Sequence, residues 1–182
     1  FDENWDQVEQ RLPVAIHPSP IDAEKIIDAL QQLVALADHC TTSDDTMVRH
    51  LNKLAKFTAE LQQNVSDPIA MARLLGNAFN KNISGRPSFK GGGKGNKDNW
   101  TGEVAIAEVR QELVHTGELL QEELQRLTDQ IISHLVHTIG RGTVKAATKR
   151  QRHGQLSFHD LLVLARRVLL NPNHGPAVRK SL

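Results

Sequence analysis

The sequence predicts an all-α fold, an irregular helical bundle with one long helix and a Gly- and Lys-rich loop. Three observations lead there. Apolar residues recur three and four apart along most of the 182 residues, alternating strand-like runs are almost absent, and Ser and Pro stand where helices would start. No period of ~20–50 residues repeats, which argues against a solenoid. The length sits near one ordinary domain of ~100–150 residues or slightly above it, enough to bury a core without disulfide or metal staples.

The first helix is expected after the proline-punctuated stretch Pro13 to Pro20, with Ser19 as N-cap, Pro20 in the first helical position and one stripe of Ile26, Ile27, Leu30, Leu33, Val34 and Ala37. A second follows Ser43 as cap and carries Val48, Leu51, Leu54, Ala55, Phe57 and Leu61. Ser66 and Pro68 mark a third, whose apolar face would be Ile69, Ala72, Leu75 and Phe79. From Asn82 to Asn99 the periodicity stops, and Gly, Ser, Asn and Lys dominate a segment read as a mobile loop. Beyond Trp100 and Thr101 the helical period returns for about forty residues through Ile106, Val109, Leu113, Leu120, Leu124, Leu127, Ile131 and Leu135. Gly117 is a place to bend; Gly140 and Gly142 weaken the helix without stopping it, so a continuation through Lys149 after a kink is open. In the last unit, from Gly154, Ser157 and Asp160 have capping-box spacing ahead of Leu161, Leu162, Leu164, Ala165, Val168 and Leu169, and NPNHGP ends that helix.

Composition narrows the chemistry. Lys and Arg total 22 against 21 Asp and Glu, so the molecule is no polycation and any attraction to nucleic acid must be local. The single Cys40 excludes a disulfide scaffold and a CxxC-type zinc module and favours a reducing compartment. No run approaches the ~20 apolar residues that span a bilayer, and the N-terminus has no signal-peptide pattern. A cytoplasmic protein without a membrane partner is expected. Phe1 in place of methionine suggests a chain cut from something longer.

Two groups of cations stand out. The run Lys90-Gly91-Gly92-Gly93-Lys94-Gly95 invites comparison with a phosphate-binding loop, but Lys94 is followed by Gly95 rather than Ser or Thr, and no apolar strand leads in. Lys81, Arg86, Lys90, Lys94 and Lys97 instead carry five charges without an intervening acid, which suits a sliding contact with DNA phosphates or, equally, a solvated linker. Trp100 beside them is set between two roles, a packing anchor and a ring that reaches a base or sugar. The second group, Arg141, Lys145, Lys149 and Arg152, is spaced four, four and three, which aligns it on one helical face with Arg150 adjacent. Its bland alternative is pairing with neighbouring acids, which abound from Thr101 to Gln130. Glu112 and His115 form one ExxH spacing with no second copy, His134 and His137 lack a carboxylate set, and Cys40 beside His39 lacks a third partner, so no metal site or nucleophile is expected.

Residues 146–182 resemble the segment just before the second ATPase motif of superfamily 1A DNA helicases of the UvrD, Rep, PcrA, RecB and AddA kind. The resemblance rests on a basic helix followed by Gly154, Leu156, Phe158, Asp160, Leu161 and Leu162, then Val178 and Arg179, with His159 where an acidic residue is common. The stretch KGGGKGNKDNW and the helices around it are similar to the 1B helical insertion of such enzymes. This resemblance implies a parent enzyme that hydrolyses ATP with Mg to move on DNA, with the motor motifs outside this chain and no cofactor within it. It implies a 1B-like helical accessory domain at 1–153, a helical stub of the motor core at 154–182, and as partners the remaining motor domains and DNA, single-stranded or forked, without sequence reading. Its DNA contacts would be Arg86, Lys90, Lys94, Lys97, Trp100, Arg141, Lys145, Lys149, Arg150 and Arg152, with no catalytic residue. A rival of another class is an autonomous helical adaptor that docks proteins through its long amphipathic helix.

Overall fold

The computed structural model describes residue 12 and residues 14–100, 102–155, 157–173 and 175–181. Phe1, Pro13, Thr101 and Leu156, and the side chains of His159 and Arg179, lie outside the described residues. Among the described residues there are six α-helices and no strand, and no helix is long and apolar enough to cross a membrane. The helices are α1 (Ala23–Ala35), α2 (Thr46–Gln63), α3 (Pro68–Phe79), α4 (Ile106–Arg152), α5 (Phe158–Leu170) and α6 (Gly175–Ser181), with 3-10 turns at Leu36–His39 and Lys97–Asn99. Contacts divide the chain into two units, Ser19–Asp129 and a second made of Gln130–Leu182 with the N-terminal stretch up to Pro18.

In the unit Ser19–Asp129, the first three helix starts differ from the expected ones in the same sense. The caps are Asp22, Asp45 and Asp67 rather than Ser19, Ser43 and Ser66; their carboxylates accept from Lys25 N, from Met47 N, and from Ile69 N and Ala70 N respectively. An ionised oxygen is a stronger acceptor than a hydroxyl and also meets the positive end of the helix macrodipole. Ser19 instead accepts from Arg126, whose guanidinium also donates to Pro20 O and to Glu123. Glu123 in turn accepts from Asp22 N at 2.9 Å, so this ion pair on α4 fixes where α1 begins.

The core has two clusters. Ile26, Leu30, Phe57, Leu61, Met71, Leu75 and Leu120 form one, and Leu33, Met47, Leu51, Leu54, Trp100, Val109 and Leu113 form the other. Each fully buried leucine contributes ~1.5–3 kcal/mol of transfer free energy. On α3 the buried residues are Met71, Leu75 and Ala78, while Ile69 is 71% exposed, so the inward stripe is rotated from the one the periodicity suggested.

Helix α4 runs unbroken for 47 residues, through Gly117, Gly140 and Gly142. Two of these glycines answer to close approach. A Cβ at Gly117 would lie 2.3 Å from Phe89 Cβ, and one at Gly140 would lie 2.2 Å from Leu12 Cδ2. The helix is closed off by Gly154, two residues beyond its last, whose φ of 66° lets Gln155 N turn back to Arg150 O at 3.0 Å.

In the second unit the N-terminal stretch follows α4: His134 Nδ1 is 3.1 Å from Ile16 O, and the His17 and His134 rings lie 5.4 Å apart. The expected capping box is present, with Ser157 and Asp160 satisfying each other's backbone N–H at the start of α5. Helices α5 and α6 pack together. The outer face of α5 stays open, with Phe158 77% and Leu162 53% exposed.

Candidate nucleic-acid interface

The segment 82–99 is irregular, yet it is docked rather than free, which corrects the mobile loop expected from its composition. Four residues outside the Gly- and Lys-rich pattern hold it. Phe89 inserts into both core clusters and stacks on Phe79 with ring centroids 5.8 Å apart. Arg110, one turn into α4, donates to Lys94 O at 2.9 and 2.6 Å and to Gly95 O at 3.0 Å. Asp45 uses one oxygen to cap α2 and the other to accept from Asn96 N at 2.9 Å and Asn99 Nδ2 at 2.8 Å. Burial pushes the Asp45 carboxyl up, but the hydrogen bonds from Asn96, Asn99 and Met47 outweigh it and hold its pKa below the usual range. His50 lies within 2.6 Å of Ser88 O.

This docking sorts the loop cations. Lys90 and Lys97 are exposed; Arg86 donates to Phe79 O at 3.1 Å, and Lys94 is drawn inward to Lys90 O at 3.0 Å. Burial lowers the Lys94 pKa. Trp100 is 3% exposed and sits in the second core cluster, so it is a packing anchor; a ring buried to this degree offers no face to a base, and its place among the DNA contacts is withdrawn.

The row on α4 has the opposite character. Arg141, Lys145, Lys149 and Arg152 are all exposed, and among the described residues none of the four has a carboxylate within ion-pair distance. They line one open groove together with Val144, Thr148 and His153. Arg150 departs from the row: its Nε lies 3.3 Å from Asp160 Oδ2, so it ties α4 to the start of α5. Hydrogen bonds from the Ser157 hydroxyl and backbone N–H, and then from Arg150, bring Asp160 down to about 2. The negative end of a helix favours cations within its last turn, which accounts for Lys149 and Arg152. Arg141 stands three turns earlier, where that effect has faded.

Sequence reasoning passed over Asp45, His50, Phe89 and Arg110. Only Phe89 left a local sign, a lone aromatic inside a polar run; the other three act across 16 to 54 residues of chain. Cys40 is half-buried and donates to Thr42 O at 3.3 Å. The described residues hold no group of three or more His, Cys, Asp or Glu placed to bind a metal. The chain matches no protein-family model, no curated protein and no solved structure.

Proposed function

We propose that this chain is a DNA-contacting accessory piece of a cytoplasmic UvrD- or RecB-like helicase, with ATP and Mg handled by motor domains that it does not contain. The observation that carries the reading is the row Arg141, Lys145, Lys149 and Arg152: four exposed cations in register on one helix, with no acid beside them among the described residues. A regular helix sets these cations about 4.5 to 6 Å apart along its axis, so that several can meet phosphates of one strand together, and phosphate contacts grip without reading bases. The open apolar face of α5 supports the same reading, because the resembling segment packs on a motor core.

The test is a salt titration of forked-DNA binding by the wild type and by the quadruple variant Arg141→Glu, Lys145→Glu, Lys149→Glu, Arg152→Glu. Loss of four phosphate contacts should flatten the log–log salt slope by about 3 to 4. Unchanged affinity and slope would remove the DNA role. A helical adaptor is the second reading, favoured by Ile132 at 54%, Leu135 at 51% and Ile139 at 66% exposure on α4. It predicts a salt-insensitive protein complex that Leu135→Glu and Ile139→Glu disrupt and the charge reversals leave intact.

A further inference from the structure

We infer that α2 and the docked loop form a binding pocket for a single phosphoryl group, built from Arg49, His50, Lys53 and Lys94. Thr46, Arg49, His50 and Lys53 are spaced three, one and three along α2, which places them on one face. Lys94 arrives from the loop to complete an open pocket of about 530 Å³ that these five residues line without a carboxylate. The nearest acid in sequence, Asp45, already has both oxygens engaged by Met47, Asn96 and Asn99. Among the described residues Arg49, Lys53 and Lys94 enter no ion pair.

The pocket's lining is basic, drawn from two elements and free of carboxylates. His50 Nε2 sits 2.6 Å from Ser88 O, and a carbonyl can only accept, so this nitrogen carries the proton. Lys94 Nζ stands 3.4 Å from the same nitrogen. With its proton directed to Ser88 O, this nitrogen cannot accept from Lys94, whose ammonium donates to Lys90 O at 3.0 Å and Ser88 Oγ at 3.4 Å and keeps one N–H for a ligand. Burial, then the Lys94 charge, lower the His50 pKa, and burial lowers that of Lys94. Arg49 and Lys53, like charges one turn apart, add to the repulsion. A tetrahedral oxyanion with three or four acceptor oxygens can meet donors converging from two elements; a carboxylate, with two oxygens in one plane, cannot reach all of them. Lys94 is shared with the nucleic-acid reading, but the pocket needs one phosphoryl group only and stands if the α4 row proves not to touch DNA.

Inorganic phosphate titrated into the full chain and followed by amide chemical shifts is the test. Saturable shifts confined to residues 46–53 and 90–96 are expected, with acetate binding about tenfold more weakly or worse. Changing Lys94 would disturb the loop it is drawn into, so the deciding variant is Arg49→Gln with Lys53→Gln, both exposed on α2. It should weaken phosphate about tenfold or more with an unchanged spectrum elsewhere. Oligonucleotides with and without a 5′-phosphate, read at the same amides 46–53 and 90–96 so that binding at the α4 row is kept apart, identify the source of the group: equal shifts assign a backbone phosphodiester, and shifts with the phosphorylated strand alone assign a terminal or free phosphate. The site is overturned by the absence of saturable shifts, by acetate matching phosphate, or by full affinity in the double variant.

Discussion

Between Lys81 and Lys97 the cations ride on irregular backbone, and the fold takes two of the five inward: Arg86 onto Phe79 O and Lys94 into the space beside His50. Between Arg141 and Arg152 the cations ride on a regular helix, and among the described residues only Arg150 is spent on an acidic partner, Asp160. The two stretches look alike as tallies of charge. They differ because a helix fixes side-chain direction by its own period, whereas a loop takes direction from whatever it docks against. Phe89, Arg110 and Asp45 dock this one.

The sharpest way to break the contrast is to free the loop. Asp45→Ala removes the cap of α2 and leaves two part-buried hydrogen bonds of the loop, from Asn96 N and Asn99 Nδ2, without their acceptor; the expected loss is about 2–4 kcal/mol by urea denaturation, with faster amide exchange at Asn96. Asp45→Asn, which keeps the cap, should lose less. Next in size is Gly117→Val. Its Cβ would overlap Phe89, and overpacking of this kind costs about 1–3 kcal/mol. A double-mutant cycle with Phe89→Gly, which removes the Cβ that the new side chain would strike, should return a coupling of opposite sign; additivity would show that Phe89 does not seat there.

The smallest effect belongs to the helical row and sharpens its description. The folded pKa of Asp160 is below its unfolded value, so its pairing with Ser157 and Arg150 adds stability above the unfolded pKa of ~3.9, and that contribution is lost as pH falls toward about 2. Asp160→Asn should therefore lower stability near neutrality and flatten the acid limb of the curve over that window. An acid limb identical to the wild type would mean that Arg150 is as free as its neighbours.

Much of the architecture was legible because it is written locally. The stripe Ile26, Ile27, Leu30, Leu33 and the Ser157 to Asp160 box are where periodicity and capping chemistry put them. The other starts were displaced because Ser and Asp compete within a few residues and charge decides in favour of Asp. The long helix was expected to falter near Gly140, but Leu12, 128 residues earlier, fills the side that glycine leaves open. The periodic stripe also ran on through Ile131 and Leu135, which are 41% and 51% exposed, because apolar spacing says nothing about whether a neighbour arrives. For the site, the α4 row could be read from spacing alone. The pocket at His50 could not, since it joins residues 44 apart through a loop whose seat depends on Phe89 and Arg110.

The division of labour at Asp45 also bears on assembly. One oxygen serves a neighbour two residues away, and the other waits for groups 51 and 54 residues downstream. Helix α2 can thus nucleate from local sequence while keeping a preset latch for the segment that arrives later. During synthesis the N-terminal helices would stand ready before residues 82–99 emerge, and the Lys-rich stretch would be the last piece of its unit to become resistant to trypsin.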